Sequence, residues 1–294
     1  MPEAPVDSQM GEVRTRKALK ERIDAWRVKG GTVGFVPTMG ALHDGHLSLI
    51  RRSRSLADHT VASIFVNPAQ FAPTEDFGSY PRHEADDLEK LASTGCDLAY
   101  LPGREEIYPQ GFQTSVTVGE VSKGLCGDSR PHFFGGVATV VCKLLNQVRP
   151  DLAVFGEKDF QQLLVIKRMV KDLDMTVEIV GAPIMREKDG LAMSSRNAYL
   201  SAENRTTAGK LNQIIANMAA ELEHGGIVES VIDKGRANLA AAGFSNVDYL
   251  EVRTIDNLTP ITAGSATAQA RIFVAAILGK TRLIDNWPIN PRSA

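Results

Sequence analysis

Two histidines stand three residues apart in "PTMGALHDGH", just after the apolar run "GFVP". They are His43 and His46. Lys158 stands in "FGEKDFQQL", and Ser194 and Ser195 precede Arg196 in "DGLAMSSRN". These side chains offer imidazole N–H groups, a compact ammonium, two hydroxyls and a forked guanidinium, all suited to phosphate oxygens. Gly40 and Gly45 allow backbone to come close to a ligand. The N–H groups of a helix that starts there suit an anion. Asn67 and Gln70 in "NPAQF", and Gln162 four residues after Lys158, are uncharged groups that read hydroxyls and carboxylates without burying charge.

Taken singly, each cluster has an ordinary alternative. The histidine pair reads equally as two phosphate donors or as two incidental loop residues; as a metal pair it lacks a third His or Cys ligand nearby. "NPAQF" reads first as an Asn-Pro turn. In "YPRHEADDLEKL", Tyr80 and Arg82 precede Asp86 and Asp87, and acids at a helix start are usually dipole-favourable caps, with a magnesium role for one of them the alternative. Lys158 also fits a solvated turn, and Ser194-Ser195-Arg196 a helix-capping turn. Together they form a set of cations, hydroxyls and glycines with amides among them, which suits a nucleoside triphosphate beside a small polar acid. There is no G-x-x-x-x-G-K-[ST] loop and no G-x-G-x-x-G fingerprint.

The surrounding elements give these clusters one location. Strand candidates "TVGFVP" (32–37), "VASIFV" (61–66), "DLAYLP" (97–102), "DLAVFG" (151–156) and "TVEIV" (176–180) alternate with helical patterns at about 45–57, 83–94, 136–148 and 159–173. Continuous apolar strands alternating with helices predict a Rossmann-like, doubly wound parallel sheet. Ligands of such sheets sit beyond the carboxyl ends of the strands, where the clusters fall. After residue 183 the texture changes. A polar stretch leads to helical patterns at roughly 203–223 and 228–241, then to strand candidates 247–254 and 271–278. We expect a domain of residues 1–183 that binds nucleotide and acid, and a smaller α+β C-terminal domain of residues 184–294.

Composition narrows the class. The chain has 294 residues, 43% hydrophobic, with a formal net charge of −2. That balance suggests neither a nucleic-acid partner nor a membrane surface. The longest apolar run, Ile272 to Leu278, falls far short of the about 20 residues of a membrane span. The opening "MPEAPVDSQM" lacks the basic-then-apolar form of a signal peptide. A cytoplasmic protein is expected. Cys96, Cys126 and Cys142 are widely spaced and suggest neither zinc nor disulfides.

"PTMGALHDGH", "FVNPAQF", "YPR", "FGEKDFQQL", "DGLAMSSRN" and, near the C-terminus, "RLIDN" occur in the order found in the pantothenate synthetases (pantoate–β-alanine ligases), and the chain closely resembles that family over nearly its whole length. The His-x-Gly-His element by itself marks only the wider nucleotidyltransferase superfamily. The resemblance implies a two-step ATP-dependent condensation of pantoate with β-alanine through pantoyl adenylate, with magnesium, in a homodimer. It implies an ATP site of Met39, Gly40, Ala41, Leu42, His43, Asp44, Gly45, His46, Gly156, Glu157, Lys158, Asp159, Met185, Met193, Ser194, Ser195 and Arg196. His46, His43 and Lys158 would be catalytic. Gln70 would contact pantoate and β-alanine, Gln162 pantoate, and Asn67 and Tyr80 would line the same area. Asp86 would lie nearest the magnesium, and the smaller domain would close over ATP.

One stretch departs from the family pattern Arg-Pro-x-His-Phe-x-Gly. Here it reads "RPHFFGG", so Phe133 stands at the usual His position and His132 one residue earlier. Two effects also compete at the histidines. A helix N-terminus disfavours imidazolium by about 0.3–1 kcal/mol. A phosphate charge about 4 Å away favours it by about 4 kcal/mol at a mid-range dielectric. His46 is therefore expected to be protonated only with ATP bound.

Overall fold

The computed structural model describes residues 10–73, 75, 77–266 and 268–290; the polar opening stretch lies, through residue 9, outside them. The apolar runs become parallel strands. Among the described residues, β1 (Gly11–Val13), β2 (Val33–Thr38), β3 (His59–Ile64), β4 (Leu98–Tyr100), β5 (Leu152–Gly156) and β6 (Glu178–Ala182) form a six-stranded sheet in the order β1-β4-β3-β2-β5-β6. Every pairing in it is parallel. Parallel neighbours need long crossovers, and helices supply them: α1 (Arg16–Arg27), α2 (Asp44–Arg54), α3 (Glu84–Ser93), the single turns α4 (Arg104–Ile107) and α5 (Cys126–Ser129), α6 (Phe133–Val148) and α7 (Phe160–Asp172).

Alternation along the strands decides which helix covers which face. Val36, Ala62, Ala99, Leu152 and Val154 point to one face and pack with Ile50 of α2 and Leu91 of α3. Tyr100, next to Ala99, points to the other face, where its hydroxyl donates to Gln147 of α6 at 2.9 Å. Helices therefore cover both faces, as the Rossmann-like, doubly wound reading requires. From β2 the chain steps to β3 and then β4; from β5 it steps the opposite way to β6. The order reverses between β2 and β5, and the crevice beyond their carboxyl ends is the ligand position of such sheets.

Two compact units divide the chain. The first holds residues as far as Val118, His132–Gly156 and Val165–Ala182. The second holds Gly119–Pro131, Glu157–Leu164 and the chain from Pro183 on. Two short internal segments thus group with the C-terminal part. In the second unit β7 (Asn246–Thr254), β8 (Ala270–Leu278) and β9 (Thr281–Ile289) form an antiparallel sheet in chain order. Its core joins Ile272, Val274 and Ala276 to Leu211, Ile215 and Met218 of α9 (Lys210–Glu223) and to Val231 and Leu239 of α10 (Val228–Ala242).

The differences from the sequence reading have local causes. The pattern at 203–223 is two helices, α8 (Ala202–Ala208) and α9, broken at Gly209. A Cβ there would meet Asp189 Oδ2 at 2.7 Å. β9 escaped the pattern because its strand period is interrupted by Arg282, Asp285 and Asn286, which are satisfied by tertiary partners. β1 is too short for a periodic signal. It is carried into the sheet by pairing with β4.

A close backbone contact fixes α6 in the first unit. A Cβ on Gly136 would lie 2.2 Å from the Ala69 carbonyl oxygen, so the helix backbone rests directly on the 3-10 turn Pro68–Gln70. Gly135, its neighbour, faces open space. Gly136→Ala should lower stability by about 1–3 kcal/mol through overpacking. Gly135→Ala should shift it by no more than about 1 kcal/mol in either direction. Urea denaturation midpoints of the two variants check the contrast.

Candidate active site

β2 ends at Thr38, and the chain turns through two left-handed residues, Gly40 (φ +78°) and Ala41 (φ +51°). Alanine pays about 1–2 kcal/mol for that conformation, so something must hold it. The clamp is Asp87 in the first turn of α3, a carboxylate only 1% exposed. It accepts the backbone N–H of Ala41 at 2.9 Å and of Leu42 at 2.7 Å. Lys90, one turn further on, donates to the Leu42 carbonyl at 2.9 Å. Thr38 completes the turn by accepting the Gly40 N–H at 3.2 Å and donating to the Ser63 carbonyl at 2.8 Å.

α2 then starts at Asp44 with His43 as its N-cap. The Nδ1 of His43 accepts the Gly45 N–H at 3.1 Å, and the Nδ1 of His46 accepts the His43 N–H at 3.4 Å. The two imidazoles form a reciprocal capping box in place of the usual hydroxyl and carboxylate. Their ring centroids lie 4.1 Å apart. A ring nitrogen that accepts a backbone N–H carries no hydrogen, so each ring holds its proton on Nε2. Imidazolium, with hydrogens on both nitrogens, is incompatible with either cap. With the box closed, each ring turns Nδ1 to the backbone, and the Nε2–H tautomer is the one that fits both caps.

After β3, Asn67 uses its whole side chain. Its Oδ1 accepts from the Tyr108 hydroxyl at 2.8 Å and the Ala69 N–H at 3.2 Å; its Nδ2 donates to Gln70 Oε1 and the Gly136 carbonyl, both at 3.1 Å. Burial pushes the Tyr108 phenol up to about 12, which keeps it a donor. Asn67 therefore orients Gln70, whose Nε2 lies 2.9 Å from Met39 Sδ. Gln70 thereby meets the same turn that carries the histidines. Tyr80 is buried with its ring edge-on to Phe71, centroids 5.9 Å apart.

Asp86 is exposed, while Asp87 beside it holds the Ala41–Leu42 turn. Among the described residues no three His, Cys, Asp or Glu side chains form a group that could hold a metal. Among the described residues the donors form no closed cage for magnesium, an ion that usually takes only one or two carboxylates together with substrate phosphates. His132 precedes α6 as an exposed residue without a side-chain cap bond. Phe133 packs against Phe134 at 5.0 Å.

The second unit carries the other candidates. Gly156, the last residue of β5, still belongs to the first unit; Glu157–Asp159 then form a 3-10 turn in which Lys158 Nζ lies 3.8 Å from Asp159 Oδ2. Gln161 is buried. It donates to the carbonyls of Val121, Lys123 and Gly124 at 3.1–3.2 Å and accepts the Cys126 N–H at 3.1 Å. Gln162, next to it, is half-buried. Met185 and Met193 face each other across a hairpin, with the Met193 N–H donating to the Met185 carbonyl at 3.0 Å. Ser194 then caps the 3-10 turn Ser195–Tyr199 by accepting the Arg196 N–H at 3.3 Å. Asn197 ties that turn back to the Ala192 carbonyl at 3.1 Å.

The structure thus gathers Met39 to His46, Asn67 and Gln70 in the first unit. In the second it fastens the Lys158 turn and the Met185–Arg196 segment to β9. Sequence reasoning missed Asp87 as a clamp, Tyr108, and the β9 pair Asp285 and Asn286. The spacing of Asp87 and Lys90 on one helical face was the available signal for the first. No local pattern marks the others.

A doubly wound sheet with a His-x-Gly-His cap beside its order reversal defines an α/β protein of the nucleotide-handling class. The family model described as pantoate-beta-alanine ligase matches residues 12–288. The chain belongs to that family. The pantothenate synthetase of Caulobacter vibrioides is 54% identical over 278 residues, covering 94% of this chain and 98% of its own. That of Maricaulis maris is 50% identical over 288 residues, covering 97% and 99%. The crystal structure of the Thermus thermophilus pantothenate synthetase matches with a TM-score of 0.90 and 44% identity, over 96% of this chain and 100% of that one. The Francisella tularensis pantoate-beta-alanine ligase, complexed with Beta-gamma ATP and β-alanine, matches with a TM-score of 0.80 and 34% identity, over 95% and 97%.

Asp87→Ala should leave two backbone N–H groups without their acceptor and cost about 1–3 kcal/mol for each that stays buried. Asp87→Asn keeps one acceptor oxygen and should cost less. Chemical denaturation orders the three proteins, and the expected order is wild type, Asn, Ala.

Proposed function

We propose that this chain condenses pantoate with β-alanine in two steps on one enzyme. In the first, a pantoate carboxylate oxygen attacks the α-phosphorus of ATP, forming pantoyl adenylate and releasing pyrophosphate. In the second, the neutral β-alanine amine attacks the acyl carbon; the C–N bond forms, the C–O bond to AMP breaks, the amine nitrogen loses a proton, and pantothenate and AMP leave. The observation that carries this reading is the His43–His46 capping box at the carboxyl end of β2, in a chain of the pantoate-beta-alanine ligase family. A relative solved with Beta-gamma ATP and β-alanine supports the choice of substrates.

The residues act by positioning and electrostatics. Negative charge grows on the phosphate oxygens during adenylation. His43 donates to it through the Nε2–H that its backbone cap sets, and His46, protonated when ATP is bound, donates once its own cap has opened. Lys158 and Arg196 offset the charge, and Ser194 and Ser195 hold the leaving pyrophosphate. Gln70, oriented by Asn67, and Gln162 bind pantoate, and Tyr80 lines that area. Magnesium enters with the ATP phosphates as part of the substrate. Protonation of His46 on ATP binding requires the cap to His43 to open, so it accompanies a local change at the helix start.

Residues 1–183 serve in this proposal as the nucleotide- and pantoate-binding domain and residues 184–294 as the lid. A homodimer and a cytoplasmic location belong to the same proposal and rest on the family resemblance. Among the described residues no helix is long and apolar enough to cross a membrane.

Isotope exchange between pyrophosphate and ATP tests the reading. Exchange should require pantoate and proceed without tRNA; its absence with pantoate would overturn the assignment. Lys158→Ala should slow this half-reaction by about 100-fold. Its effect on the reaction of supplied pantoyl adenylate with β-alanine should be much smaller. Single-turnover assays of the two halves measure the division.

A further inference from the structure

The "RLIDN" stretch of β9 resembles the family sequence but has no role in the mechanism above. We propose that its last two residues, Asp285 and Asn286, are positioning residues that hold the Lys158 turn and the Met185–Arg196 segment in fixed register from one strand. The proposal rests on the assignment of both segments to the phosphates of ATP.

Adjacent strand residues point to opposite faces of a sheet, and these two use both faces. Asn286 is 2% exposed. Its Nδ2 donates to the carbonyls of Glu157 and Lys158, both at 2.9 Å. Those carbonyls belong to the peptides on either side of the Lys158 Cα. One amide therefore fixes both peptide planes from which the lysine stem departs. Its Oδ1 accepts from Arg271, whose guanidinium also reaches Glu157 Oε2 at 3.2 Å and lies 4.1 Å over the Phe160 ring. Phe273, the cross-strand partner of Asn286, packs on the same ring at 5.9 Å. The turn around Lys158 is thus clamped on a face made by Arg271, Phe273 and Asn286.

Asp285 works on the other face. It is 3% exposed and pairs bidentately with Arg186, at 2.7 and 3.0 Å. Arg186 also donates to the Gly190 carbonyl at 3.0 Å and lies 5.1 Å over the Trp287 ring. This ties the first arm of the hairpin that precedes Ser194–Arg196 to its own turn. Asp285 Oδ1 accepts the Asn286 N–H at 2.8 Å, which joins the two braces. A lysine stem is long and flexible. A misplacement of about 1 Å at a reacting group can cost about 100-fold in rate. Neither residue needs to touch substrate to matter.

Asn286→Ala and the near-isosteric Asn286→Asp remove the donor to both carbonyls; Asp285→Asn weakens the brace to Arg186. For each, pantoate-dependent ATP–pyrophosphate exchange at saturating substrates should fall by about 10- to 100-fold. Reaction of supplied pantoyl adenylate with β-alanine should change by less than about threefold. In a Lys158→Ala background, Asn286→Asp should cost less than about threefold more, because the two act as a unit. Equal losses in both half-reactions, or additive losses in that cycle, would overturn the proposal. Amide hydrogen exchange supplies a readout that needs no chemistry. Asn286→Asp should speed exchange at Glu157–Asp159, and Asp285→Asn at Arg186–Asn197, with β7 and β8 unchanged. Unchanged exchange at those segments refutes the braces. Intact braces in a wild type that makes no adenylate refute the ligase reading instead.

Discussion

β2 and β5 lie side by side and send their crossovers in opposite directions, and the arrangement of the candidate site follows from that. Parallel pairing on each side of β2 rules out hairpins between these neighbours, so the chain crosses from one to the next through helices. At the point of reversal two such handovers open away from each other, and a crevice is left at the carboxyl edge. β2 passes there into Met39–His46. β5 ends at Gly156, and the chain runs on directly into Glu157 and Lys158.

Within that frame, the polar groups are held by partners that do not themselves look catalytic. Asp87 stabilises a turn with an alanine in the left-handed region. Asn67 and Tyr108 hold Gln70. Asn286 and Asp285 hold the segments that carry Lys158 and Arg196. Buried, fully hydrogen-bonded groups of this kind cost much to disturb, because each lost partner leaves another polar atom unsatisfied. Preorganised donors do not have to rearrange as charge develops, and most of the benefit to catalysis comes from that.

The histidine pair shows how local and tertiary causes combine. Spacing alone left it balanced between phosphate donors and loop accident, and the later clusters tipped the balance toward phosphate. What spacing could not give was the tautomer. That depends on two Nδ1 atoms turning inward to cap their own helix, and on Asp87 holding the turn before it.

Much of the fold was legible because it depends on short-range periodicity. Continuous apolar runs over 32–37, 61–66 and 151–156 read as buried parallel strands, and each lies close to an observed strand. β9 was illegible because Asp285 and Asn286 break its pattern, and their partners lie about a hundred residues away in the chain. The same holds for Gly136, whose importance lies in the Ala69 carbonyl pressed against it. Residue type, order and local period were enough for the fold class and the family, and they suggested which side chains suit phosphate. Which polar residues act as supports, Asp87 rather than Asp86 among them, emerges only from the folded contacts, because a hydrogen-bond partner distant in sequence leaves no periodic trace.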